Sequence, residues 1–168
     1  MSKAKNMVRW CLNKAGKELE KGQKHRGLIR IEPDESLLAD YIKKIEHNLK
    51  VFIDNKKLKN YDWTINIGFY IMYHCCLAII TKFGYESRNQ ECTLALIESL
   101  IEDKKIDQDF RRYTEAIVSD VKDEEEQILP MRERYQYTPA ILVDEQKVEE
   151  LLKICQDMIQ DTKGIVQE

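Results

Sequence analysis

The sequence predicts an all-α fold, an up-and-down helical bundle with a four-helix core and peripheral helices, and three observations carry that prediction. One stretch, Tyr61 to Tyr85, is apolar on nearly every side, so it must be covered by other helices or by lipid. The other long segments are apolar along one stripe only, at three- and four-residue steps. Only three prolines and six glycines interrupt 168 residues, and no segment shows the strict alternation of a half-buried strand. This length suits one domain with a sizeable core. The expected organisation is a basic N-terminal helix or extension over 1–27 and the bundle over 28–168.

Taken in order, residues 3–24 read as a basic helix with an apolar edge of Val8, Cys11, Leu12, Ala15 and Leu19, its end weakened by Gly22. Residues 1–27 carry eight Lys or Arg against two Glu, which suits either a peripheral helix docked on the bundle or a basic arm for RNA or phosphate. A connector from His25 to Glu32 follows. Pro33 is expected in the first turn of the next helix, with Asp34 and Glu35 favouring its positive end. That helix runs to about Lys56, with Leu38, Tyr41, Ile42, Ile45, Leu49, Phe52 and Ile53 on its apolar face and His47 solvated.

The central helix carries two apolar stripes, Trp63, Ile67, Tyr70, Ile71, His74, Leu77 and Ala78 on one side and Ile65, Phe69, Met72, Cys76, Ile79, Ile80 and Phe83 on the other. Asn66, His74, Thr81 and Lys82 make it too polar for lipid, so no membrane partner is expected. Gly68 should let a neighbouring backbone come close, and Gly84 suits a left-handed cap. A third helix is expected over Ser87 to Glu102, capped by Ser87 or Asn89. A fourth is expected from the cap Asp107, with Phe110, Tyr113, Ile117, Val121 and Ile128 in line, to an end or bend at Pro130. Its acidic run, Asp123 to Glu126, reads as a solvated face. A last helix starts near Asp144 and turns Val148, Leu151, Leu152, Cys155, Met158 and Ile159 inward. The simplest core comprises 34–56, 61–83, 87–102 with 107–129, and 144–163.

Composition and motifs exclude several classes. The net charge is −3, so the whole molecule is not an electrostatic binder of nucleic acid. The basic N-terminus has no apolar core behind it, so no signal peptide is expected. Five cysteines without a CxxC pair read as reduced core filler in a cytoplasmic protein. Neither a metal nor a cofactor is expected: no Cys or His pairs have ligand spacing, and no phosphate loop, GxSxG or HExxH is present. His74, on the buried helix with Tyr70 and Tyr73 nearby, reads as a core histidine bonded to a neighbour, or as an acid–base or nucleotide contact. The segment MRERYQYTPAILV concentrates Arg132, Arg134, Tyr135 and Tyr137 before Pro139. Arginine forks match phosphate oxygens and tyrosines stack on bases, so these four and His74 are the candidate ligand contacts. The competing reading pairs the arginines with Glu133 and Glu124 to Glu126.

The segment IKKIEHNLKVFIDNKK, followed by YDWTINIGFYIMYHCCLAIITKFGYESRNQECTLALI, resembles the two central helices of the HEPN-domain family, where an A-x-x-N-L helix precedes an aromatic helix and a G-(Y/F)-x-(S/P) linker. GLIRIEPDESLLADYIKKIEHNL resembles the lead-in of archaeal members, and the similarity runs over about 28–163. The resemblance implies an α-helical bundle, a homodimer, a small nucleotidyltransferase as partner and, in active members, metal-independent RNase activity, often as toxins. Those members use an arginine followed four to six residues later by a histidine. Here no arginine has a histidine at that spacing. Arg132, Glu133, Arg134, Tyr135, Gln136 and Tyr137 stand at the motif's place, and Gln90 stands where many relatives carry a histidine. A tyrosine with a pKa of about 10 is a poor general base at neutral pH, so no catalytic residue is assigned. Tyr135 or Tyr137 would match the tyrosine that some partner enzymes adenylylate. The expectation is a dimer that binds a nucleotide, RNA or a nucleotidyltransferase, with little or no catalysis. The alternatives are an RNase with an Arg–Tyr site and a non-catalytic dimerisation module.

Overall fold

The computed structural model describes residues 1–118 and 128–167. The expected all-α bundle is what it shows: helices α1 (Lys3–Glu20), α2 (Glu35–Lys57), α3 (Tyr61–Lys82), α4 (Gln90–Glu102), α5 (Arg111–Ile117), α6 (Ile128–Tyr137) and α7 (Glu145–Gln167). Two three-residue strands, β1 (Leu28–Arg30) and β2 (Tyr85–Ser87), pair antiparallel with Leu28 opposite Ser87 and Arg30 opposite Tyr85. The strands correct the reading of 25–32 as a plain connector. Three residues are too few to print a period-two pattern on a sequence.

The centre is α3, as its uniform apolarity requires. Fourteen of its 22 residues are buried, and it packs against α2, α7, α6 and α4. By length and composition α3 could cross a membrane, yet most of it lies inside the bundle. Its buried polar side chains bond to their own helix: Thr64 Oγ1 donates to the Tyr61 carbonyl at 2.6 Å, Asn66 Nδ2 to the Asp62 carbonyl at 3.1 Å and Thr81 Oγ1 to the Leu77 carbonyl at 2.9 Å. Such back-bonding satisfies a buried hydroxyl without a partner helix. Each fully buried Ile, Phe or Met contributes about 1.5–3 kcal/mol, and Ile65, Ile71, Met72, Ile79 and Ile80 are all 0% exposed.

Gly68 admits a side chain rather than the expected backbone. A Cβ built there would lie 2.6 Å from Leu151 Cδ2 of α7, and Cys155 Sγ approaches the Gly68 carbonyl at 3.6 Å. Gly84 takes the left-handed conformation at φ +79° and sends α3 into β2. Asp34 is the N-cap of α2, its carboxylate accepting from the Leu37 N–H at 3.0 Å, so Pro33 sits just outside the helix instead of in its first turn. Asn89 caps α4 by accepting from Cys92 N–H at 2.9 Å. Ser87 belongs to β2, so α4 starts later than expected.

The fourth helix departs most from expectation. Asp107 caps a single 3₁₀ turn, Gln108–Phe110, which leads into α5. That helix ends at Ile117, because Val118 is extended. Val121 and the run Asp123 to Glu126 lie outside the described residues. Pro130 does not end the helix as one of the two expected outcomes had it: α6 continues through it to Tyr137.

The cysteine expectation is corrected in part. Cys75, Cys76 and Cys155 are free and buried, and burial pushes the Cys75 thiol up to about 12. Cys11 of α1 and Cys92 of α4, however, form a disulfide across a sequence separation of 81. Spacing cannot show which cysteines the tertiary fold brings together. Closing a loop of this size stabilises by about 4.5 kcal/mol in the chain-entropy account.

Two predictions follow from this packing. Gly68→Ala drives a methyl into Leu151 and lowers stability by about 1–2 kcal/mol, overpacking outweighing the gain in helix propensity. Gly16→Ala on α1, where nothing lies within 4 Å, raises stability by about 0.5–1 kcal/mol; urea midpoints of the two variants should move in opposite directions. Alkylation in denaturant should label three thiols before reduction and five after it, with the unfolding midpoint falling once Cys11–Cys92 is reduced.

Candidate functional site

The candidate residues gather where α6 crosses α3. Arg132 is on α6, and its guanidinium carbon lies 4.4 Å from the centroid of the Phe69 ring and 5.8 Å from that of Tyr70. Its Nη1 donates to Tyr70 Oη at 3.3 Å, while Nε is buried with no hydrogen-bond partner among the described residues. A cation over aromatic faces gains about 0.5–2 kcal/mol and keeps its charge, whereas a carboxylate partner would neutralise it. Among the described residues Arg132 and Arg134 form no ion pair; Glu124 to Glu126, the other part of the competing reading, lie outside them. Arg134 stacks at 5.8 Å on Tyr135 of its own helix.

The tyrosines divide. Tyr135 donates its hydroxyl to the Leu142 carbonyl at 3.0 Å, which ties α6 to the segment before α7. Tyr137 is 71% exposed at the end of α6, with its ring open to solvent.

His74 lies one turn along α3 from Tyr70, the two ring centroids 6.3 Å apart, with Tyr41 at 6.2 Å and Tyr73 at 6.4 Å. It is half-buried rather than enclosed, and its Nδ1 lies 3.5 Å from Asn48 Nδ2. Burial lowers its pKa below 6.5 and the Lys44 charge acts the same way, against a backbone hydrogen bond to Tyr70. Arg132 and His74 therefore flank the same phenol, although 58 residues separate them. Phe69 is the residue missed at this site. Its place in the core stripe gave no sign that one face would carry a guanidinium.

The other histidines are not brought here. His47 is exposed. His25 is buried at 3% exposure, its Nε2 3.1 Å from Glu86 Oε1, which also accepts from Arg88 Nε at 2.9 Å. Burial would raise the Glu86 pKa, but the bonds from His25 and Arg88 hold it below the usual carboxylate range. This cluster braces β2. Among the described residues no three His, Cys, Asp or Glu side chains are placed to hold a metal ion.

An all-α bundle whose central aromatic helix carries an arginine from α6 defines the class: a helical-bundle protein with a cationic–aromatic corner. The sequence matches the HEPN domain model over residues 38–165, most of the chain, and the chain belongs to that family. A search of curated proteins found no match.

The lowered pKa of His74 gives a pH prediction. A histidine that titrates lower when folded is charged sooner in the unfolded chain. Its contribution to stability is full above about pH 6.5 and is lost as pH falls through the folded value. Denaturant midpoints should therefore fall from pH 7.5 towards pH 5 more steeply for the wild type than for His74→Gln.

Proposed function

We propose that this HEPN protein binds the phosphate of RNA or of a nucleotide at the α3–α6 corner, as a homodimer and with a small nucleotidyltransferase as partner, and has little catalysis of its own. The observation that carries the reading is the Arg132 guanidinium, held by the rings of Phe69 and Tyr70 and matched by no carboxylate among the described residues. A stacked guanidinium keeps its N–H edge for a phosphate, and low hydration makes Arg suited to a partly buried anion site. Arg134 and Tyr137, both exposed on α6, supply a second cation and a ring on which a base can stack. The homodimer is supported by exposed apolar residues: Trp63 at 59% and Tyr70 at 38% on α3, and Ile141 and Leu142 in the segment between α6 and α7. Exposed large apolar side chains on a helical bundle are the surface that a second copy would cover.

A second reading, metal-independent RNA cleavage, is favoured by the position of His74. A neutral imidazole across Tyr70 from an anion-binding arginine can accept a proton at pH 7.

Calorimetric titration with a nucleoside triphosphate and with single-stranded RNA tests the first reading. Arg132→Ala should weaken binding by about 10-fold or more, since a charge-assisted contact contributes about 1.5–3 kcal/mol, and Arg134→Ala should weaken it less. Equal affinity in wild type and Arg132→Ala would remove this corner from the site. RNA cleavage abolished by either Arg132→Ala or His74→Gln would establish the second reading.

A further inference from the structure

We propose that the outer edge of α1 is a docking surface for single-stranded nucleic acid, with Trp10 as the base-stacking platform and Lys14, Lys17 and Lys21 as phosphate contacts. The helix lies outside the family match over 38–165, and the surface stands on residues separate from the Arg132 corner.

The placement follows from helical spacing. Ala4, Cys11 and Ala15 are buried and turn one face of α1 towards α4 and β1. Trp10, Lys14, Lys17 and Lys21 repeat at steps of four, three and four, so they form one stripe beside that face. Trp10 is 53% exposed. It stands as a ridge between two open grooves of about 660 and 400 Å³ and lines both. In the larger groove Met7 and Asn6 lie beside the indole, a flat apolar wall with an amide able to meet a base edge. In the smaller groove stand the three lysines, spread over about 10 Å of helix axis, the span of about three stacked nucleotides on one strand.

The charge in the smaller groove is one-sided. Its acid, Glu18, is taken up by Arg26, accepting the Arg26 backbone N–H at 2.5 Å and lying 3.6 Å from its guanidinium. Among the described residues Lys14, Lys17 and Lys21 form no ion pair, and the Lys14 ammonium sits 5.1 Å from the Trp10 ring centroid. The helix is also anchored. The Cys11–Cys92 disulfide, Ser2 donating to Glu102 at 2.5 Å and Lys5 paired with Asp103 at 2.5 Å hold it to α4 and the turn beyond, so little ordering is needed on binding.

A single strand fits better than the alternatives. A duplex hides the faces of its bases, whereas an unpaired base can stack on indole. A helix lying on lipid needs a continuous apolar face. Leu19, the other strongly exposed apolar residue of α1 at 49%, is nine positions from Trp10 and so about 180° around the helix.

The test uses the full chain, a fluorescein-labelled oligouridylate, and anisotropy over a series of KCl concentrations, with Trp63→Phe as the background in which quenching reports on Trp10. Trp10→Ala should weaken binding by about 5- to 100-fold, and Trp10→Tyr should restore part of it. Replacing Lys14, Lys17 and Lys21 together by Gln should reduce the slope of log affinity against log salt by about 2. Arg132→Ala should leave the Trp10 quench in place. Circular dichroism melts confirm that each variant is folded. Affinity and slope unchanged in the Trp10 and lysine variants overturn the proposal, and a loss confined to Arg132→Ala does so while upholding the α3–α6 site. Binding to phosphatidylserine vesicles in place of RNA, or no binding to RNA at all, also overturns it.

Discussion

Enclosure of α3 is the constraint on which the other elements depend. A 22-residue helix with no polar face must be covered over most of its circumference, so α2, α7, α6 and α4 are recruited around it. Its buried Thr64, Asn66 and Thr81 side chains turn back onto carbonyls of their own helix, so these three groups need no partner from a surrounding helix. The close fit of Leu151 over Gly68 sets how near α7 can lie. Where the wrapping thins, at Trp63 and Tyr70, aromatic surface stays exposed.

That thinning is what makes the corner with α6 chemically interesting. Phe69 is buried at 2% exposure and Tyr70 is not, so adjacent residues of α3 present one packed ring and one accessible ring. Arg132 rests on both. Its stem and Nε are drawn inward while the positive charge remains at the rim, the usual compromise for a long cationic side chain over apolar surface. His74 lies further along the same helix, and burial keeps its imidazole neutral more readily than water would.

On its own the N-terminal helix would be marginal: it is strongly charged, and its buried residues are two alanines and a cysteine. Small residues bury little area, so packing alone is weak. The Cys11–Cys92 bridge, the Ser2 and Lys5 contacts to Glu102 and Asp103, and the seam of β1 with β2 compensate. Buried His25 against Glu86 adds a bond between the segment after α1 and that seam.

The long helices were legible because periodicity over 20 residues is a strong signal, and the inward residues of α7, Val148, Leu151, Cys155 and Met158, are buried as their spacing requires. Short elements were not. The strands are three residues long, α5 is seven, and Pro130 reads as an end or a bend although α6 runs through it to Tyr137. The arginines and tyrosines of 132–137 were visible as a composition, but not their roles: Tyr135 holds a carbonyl, Arg132 covers rings and Tyr137 is free in solvent. What the sequence by itself determined was the helical class, the central rod and the family, since these rest on repeats and motifs along the chain. Tertiary structure alone decided that Cys11 meets Cys92, that Arg132 lies on Phe69 and that His74 shares a phenol with it. Such contacts join residues far apart in sequence, and only the mutual packing of helices brings them within bonding distance.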